Sequence, residues 1–187
     1  MRRINGKLYR LICAAVAGAL YAALTMVLAP VSYGVLQFRI SEALCVLPFF
    51  FPASAAGLFV GCIIANLISA AGILDIIFGS LATLLAGICT AAIGVRARKK
   101  APVGEVGTGA GWGSRIAACA MPVIFNAPIV GAVLAYAFTP EAFWEGFVLF
   151  GAQVGIGEAA VMFALGLPLL AFAGKNRRFT EFMEKLQ

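Results

Sequence analysis

Hydrophobic positions fill long uninterrupted runs along this chain, and polar positions are confined to short gaps between them. A run of about 18 or more apolar residues crosses a hydrocarbon core as a helix, because a helix satisfies its own N–H and C=O groups where water is absent. On that pattern the chain divides into six segments, over residues 11–29, 42–51, 53–71, 74–95, 116–138 and 143–173. Pro30 closes the first. Pro48 and Pro52 bracket the second, which is short and spans only with help from its neighbours. The gap over 96–114, RARKKAPVGEVGTGAGWGS, is rich in Gly and positive charge and predicts a flexible loop that splits the helices four and two. The expected fold is an all-α integral membrane protein, a single transmembrane domain built as a six-helix bundle.

Composition agrees: 63% of the 187 residues are hydrophobic and only 12% are charged, which excludes an ordinary soluble domain. Thirteen of the 14 Lys and Arg sit in three flanks, at residues 2–10, 96–115 and 175–185. Cytoplasmic flanks are enriched in positive charge. Six spans place all three flanks on that face with both termini cytoplasmic, whereas omitting 42–51 would send the linker and tail away from the N-terminus. The short helix therefore has support independent of hydropathy, and a multi-pass protein of the cell membrane is expected. The basic N-terminus also suits a signal peptide, but the run behind it is long and continues into further apolar sequence, which favours a retained span. No basic patch interleaved with aromatics points to nucleic acid.

The chain has no His, which removes the usual catalytic base and commonest metal ligand and leaves no Ser-His-Asp, Cys-His or HExxH arrangement. Its five Cys are scattered singly through apolar segments without a CxxC pair and read as small core residues. Neither an enzyme nor a metal site is expected.

Small residues let membrane helices approach closely. The first segment offers two rows at i, i+4 spacing, Ala14, Gly18, Ala22 and Ala15, Ala19, Ala23. One row can face the bundle and the other a partner. Gly57, Gly61 and Ala65 repeat the device in the third segment, and Gly151 and Gly155 in the sixth.

Polar side chains inside the spans are few. An ionised Glu158 near the middle of the sixth segment costs about 2.5–3.5 kcal/mol unless it faces a cavity or partner, so it must face inward. Gly151 and Gly155 share its face and leave a smooth surface against which a flat ligand could lie. Asn126, with Pro122 and Pro128 beside it, interrupts the fifth segment at similar depth, and Asn66 and Ser69 share a face of the third. With the N-terminus inside, Gln37, Arg39, Glu42, Asp75 and Trp144 cluster at the outer mouth, above Asn66, Asn126 and Glu158. Structural roles compete: Ser41 can cap the second helix, Glu42 and Asp75 suit helix starts, and Glu158 and the amides can tie helices together.

The stretches QFRISEALCVLPFFFP, GLFVGCIIANL, LDIIFGSLATLLAG, FNAPIVGA and VGIGEAAVMFALGLPL resemble, in that order, the QueT family of substrate-binding S components of energy-coupling factor (ECF) transporters. The resemblance implies a six-helix S component that captures a queuosine precursor outside and delivers it together with a transmembrane coupling subunit (the T component) and two cytoplasmic ATPases. It also implies that Ala15, Ala19 and Ala23 form the docking row. This chain lacks GxxxxGK[ST], so ATP would be hydrolysed by the partners and no cofactor is expected here. The implied ligand is a 7-deazaguanine, queuine or the aminomethyl precursor preQ1. Glu158 and either Glu42 or Asp75 would divide the ring edge and the cationic amine between them. Asn126, Asn66 and Gln37 would read the ring, Phe78, Phe143 or Trp144 would stack on it, and Arg39 would contact the ligand or hold Glu42 in place. The competing expectation is an autonomous secondary transporter in which Glu158 and Asp75 carry protons.

Overall fold

The computed structural model describes residues 6–33, 37–100 and 111–184, and these are helical with no strand among them. The N-terminal helix α1 runs Gly6–Val27; after Leu28 a single turn, α2 (Ala29–Ser32), begins with Pro30 in its first turn, where a missing N–H is no loss. A 3-10 stretch, Ile40–Val46, leads into α3 (Leu47–Phe50), and α4 covers Ser54–Asn66. A π-helical turn, Asp75–Gly79, opens into α5 (Ser80–Lys100). Beyond the linker come α6 (Trp112–Phe138), α7 (Phe143–Val161), a second π-helical turn (Met162–Gly166), α8 (Leu167–Lys175) and α9 (Arg177–Glu184).

By length and composition four stretches among the described residues can cross a membrane: Gly6–Val27, Asp75–Lys99, Trp112–Phe138 and Pro140–Lys175. Ile40–Phe50 and Ser54–Asn66 are apolar but shorter, so the expected count of six spans is not reached by length alone. Several boundaries differ from expectation. The third segment stops at Asn66 instead of 71, because the chain turns through Gly72, whose φ of +66° suits glycine, before entering the Asp75 turn. The linker is shorter than 96–114, since α5 continues to Lys100 and α6 starts at Trp112; the linker core over 101–110 lies outside the described residues, as do Arg2, Arg3 and Lys185. Asn126 does not interrupt its helix. Pro122 and Pro128 lie within a continuous α6, and the Ala118 carbonyl, four residues before Pro122 and deprived of its usual N–H donor, accepts the Thr90 hydroxyl at 3.2 Å.

Glycines set the closest approaches. A Cβ on Gly57 would collide with the carbonyl of Ala14, and one on Gly18 with that of Gly57, so α1 and α4 meet backbone to backbone. Ala14, Gly18 and Ala22 are accordingly buried, while Ala15, Ala19 and Ala23 are exposed. The pairing of α6 with α7 is as close: a Cβ on Gly131 would lie 2.6 Å from Cα of Gly151, and one on Gly155 3.2 Å from Cβ of Ala127. The smooth glycine face beside Glu158 is therefore filled by α6 and is not free for a flat ligand.

The start of α1, the ends of α3 and α5 and helix α9 meet at one end of the bundle. There Tyr9 packs edge-on to Phe182, and Phe50 to Phe179. Val46, Phe49, Phe50, Ala97, Cys119, Met162 and Leu170 fill that half as one apolar core. Helix α3 ends at Phe50, too early for the Phe49 carbonyl to meet an N–H of its own helix, and the Arg98 guanidinium of α5 donates to it. The polar interior lies toward the opposite end.

Candidate functional site

The polar interior begins with the stretch from Gln37 to Val46. Arg39 precedes its 3-10 turn and reaches Asp75, Nη2 to Oδ2 at 3.4 Å, with both side chains almost fully buried. Ser69 donates its hydroxyl to the same Oδ2 at 2.6 Å, and Asn66 donates its amide to the Asp75 carbonyl at 2.9 Å. Gly79 makes room for this: a Cβ there would collide with Asp75 Oδ1 and lie 3.0 Å from Asn66 Nδ2. The π-helical turn thus brings its acid back against α4. Such turns recur at functional positions.

Glu42 is in a different condition. The Tyr21 hydroxyl of α1 donates to its Oε1, and the Cys45 thiol lies 2.9 Å from its Oε2. Ser41 does not cap the helix as expected, because its hydroxyl is engaged with Thr25 Oγ1 at 2.6 Å. Nor does Arg39 hold Glu42: Glu42 is fastened to α1 and its own turn, Arg39 to Asp75.

Glu158 of α7 and Asn126 of α6 are both buried and lie at the same small cavity. Together with Gln37, Arg39, Val130 and Val154 they line a cavity of about 10 Å³. That is room for about one water, against about 300–1,000 Å³ for an open ligand pocket. Polar atoms around it are buried without a hydrogen-bond partner: Glu158 Oε1, Asn126 Oδ1 and Arg39 Nε, with Asp75 Oδ1 and Asn66 Oδ1 behind. Unmade bonds in such a place are costly, and a solute rich in N–H donors would complete those on the acceptor oxygens.

Of the residues expected here, Gln37, Arg39, Asn126 and Glu158 share the cavity, Asp75 and Asn66 lie behind Arg39, and Glu42 is absent from the lining. Phe78 and Trp144 are elsewhere. Trp144 is 75% exposed and Phe78 45%, and Phe78 joins Phe143, Tyr136 and Pro128 in an apolar groove of about 550 Å³ on the outside of the bundle. Their helical positions turn them outward. Sequence reasoning missed Tyr33, whose ring lies under the Arg39 guanidinium, 5.4 Å from its carbon to the ring centroid, and whose hydroxyl is donated to the Ala65 carbonyl. It also missed Tyr21. A Tyr in an otherwise small-residue helix face, and another beside the QFRISE stretch, were the available signals.

These features define a multi-pass helical membrane protein with a closed polar pocket between its helices. The QueT transporter family profile matches residues 11–175, and the chain belongs to that family. It is similar to the queuosine precursor transporter QueT of Lactococcus lactis subsp. cremoris (strain MG1363), 40% identical over 83 residues that cover 43% of this chain and 48% of that protein. The alignment thus spans about half the length of that relative. No solved structure matches the chain significantly.

Proposed function

We propose that this chain is the S component of an ECF-type importer, a single transmembrane domain of six helices that binds a 7-deazaguanine queuosine precursor outside and delivers it to the cytoplasm. The observation that carries the reading is the set of buried, unpaired polar atoms on Glu158, Asn126 and Arg39 around one small cavity, with that of Asp75 behind Arg39. Acceptors outnumber donors among them, which suits a ligand rich in N–H groups and positively charged, and preQ1 and queuine are both. Glu158 and Asp75 are the carboxylates with an oxygen to spare. Both termini lie on the cytoplasmic side in this reading, together with the basic flanks.

Energy comes from outside the chain: ATP is hydrolysed by two partner ATPases, and a T component links them. The exposed row Ala15, Ala19 and Ala23 supports that docking role. Ala15 and Ala19 border an apolar groove of about 750 Å³ along α1 and α4, whose small residues would let a partner helix approach closely. Replacing Ala15, Ala19 and Ala23 by Leu should leave solute binding intact and impair assembly, measured by co-purification with the coupling subunit.

The deciding experiment is calorimetric titration of the purified chain with guanine, preQ1, queuine and common vitamins, paired with uptake into vesicles. Tight preQ1 or queuine binding, with concentrative uptake only when the ATPases and coupling subunit are present, is the expected result. Uptake by the chain alone under a pH gradient would mean a proton-coupled secondary transporter instead.

A further inference from the structure

The cavity beside Glu158 admits nothing larger than a water, so part of its lining must withdraw before a ring-sized solute enters. Asn126 and Val130 are fixed on α6, and Val154 and Glu158 on α7. Gln37 and Arg39 come instead from a stretch outside any helix, and Gln37 sits at φ +44°, a left-handed value uncommon for a non-glycine residue. Their side chains are the parts of the lining that can withdraw without moving α6 or α7. Arg39 meanwhile occupies a distinctive place: its guanidinium lies over the Tyr33 ring, 5.4 Å to the centroid, and 3.4 Å from Asp75 Oδ2.

The pairing is only half made. A guanidinium and a carboxylate ordinarily meet through two parallel bonds, yet Arg39 Nε and Asp75 Oδ1 are both buried without a hydrogen-bond partner. An aromatic face closed at one edge by a carboxylate also suits another planar group. The N1–H and exocyclic amine of a guanine ring, with the carbon between them, have the outline of a guanidinium and present two parallel N–H donors.

We infer that Arg39 is a tethered stand-in for the ligand. In the closed chain its guanidinium fills a subsite made by Tyr33 and Asp75; an incoming guanine-type ring displaces it, stacks on Tyr33 and donates two N–H groups to Asp75. The inference rests on the solute class proposed above and assigns the two free acids. Asp75 takes the ring edge, and Glu158, on the far side of the space Arg39 vacates, takes the cationic amine carried at the ring's other end.

A tethered competitor lowers apparent affinity by the fraction of time its subsite is open. Arg39→Ala should therefore bind guanine about tenfold more tightly than the parent chain in calorimetry. Adding Asp75→Asn or Tyr33→Leu to Arg39→Ala should remove that gain. Unchanged or weakened guanine binding by Arg39→Ala overturns the inference, because an arginine that contacts the ligand directly gives that result. Arg39→Lys guards against a misfolded alanine variant, since it keeps a cation beside Asp75 without the planar fork. It should also bind guanine more tightly than the parent, by a smaller factor, and equal or weaker binding again counts against the stand-in. A parent chain that binds none of guanine, preQ1 and queuine overturns the solute class and this inference together, whereas a binding parent with a weakened Arg39→Ala overturns this inference alone.

Discussion

Glu42 and Glu158 are both carboxylates buried in an apolar helical bundle, at 0% and 3% exposure, and they are in opposite states of completion. Glu42 has a partner on each oxygen, Tyr21 from α1 and Cys45 from its own turn. Glu158 has an oxygen with none and faces a small cavity. Burial at membrane depth therefore does not by itself mark a binding group; in the proposed reading, unspent hydrogen-bonding capacity beside a cavity does. Glu42 acts as a rivet between α1 and the stretch that carries Arg39, and Glu158 is, in the proposed reading, the acid that meets the solute.

The sharpest way to break this comparison is to neutralise each acid in turn. Glu158→Gln should weaken binding of preQ1 about a hundredfold, or about 3 kcal/mol, because it removes one member of a buried charge pair formed only with the ligand. Its melting temperature in detergent should change little. Glu42→Gln should do the reverse, lowering the melting temperature while the chain that remains folded binds with near-parent affinity. Equal effects of both substitutions on binding would erase the distinction.

Tyr21→Phe sharpens the comparison from the partner's side. Removing the hydroxyl leaves a fully buried carboxylate oxygen without a donor, at a cost of about 2 kcal/mol in stability, and the loss should appear in thermal unfolding with ligand affinity within a few-fold of the parent. A large loss of affinity without a loss of stability would move Glu42 from the rivet to the binding site.

Much of the architecture was legible in the sequence because the membrane imposes it. Apolar runs located the helices, and small residues at four-residue spacing located the close contacts, though not which of the two α1 rows is buried. Glu158 and Asn126 stand out because polar groups inside hydrocarbon are rare, topology places Gln37 and Arg39 above them, and the structure brings these four to one cavity. What the pattern did not carry was direction. Phe78 and Trp144 were expected to stack on a ligand by their position along the chain, yet a helix turns a side chain by its angle, and theirs point outward. Nor did spacing reveal the π-helical turn at Asp75, where an added residue in the turn redirects the carboxylate toward Asn66 and Ser69. Arg39 was expected near Glu42, three residues away, and pairs across the bundle with Asp75 because the tertiary fold supplies that partner.

The mildest test concerns the same contrast between completed and open groups, at a carbonyl this time. Pro122 has no N–H, so the Ala118 carbonyl loses the bond that a helix would give it, and Thr90 of α5 replaces it at 3.2 Å. Thr90 is fully buried, and the bond joins the two halves of the chain across the linker. Hydrogen bonds between membrane helices contribute about 0.6 kcal/mol on average, because the freed group finds other partners. Thr90→Val, close in shape, should therefore lower stability by about that much and leave preQ1 binding unaltered. Thr90→Ser, which keeps the hydroxyl, should recover most of the bond's contribution. If Thr90→Val instead cost as much as Tyr21→Phe, a neutral carbonyl would be as dependent on its single donor as a buried carboxylate, and the ranking of groups by unmet capacity would need to give way to one based on position in the bundle.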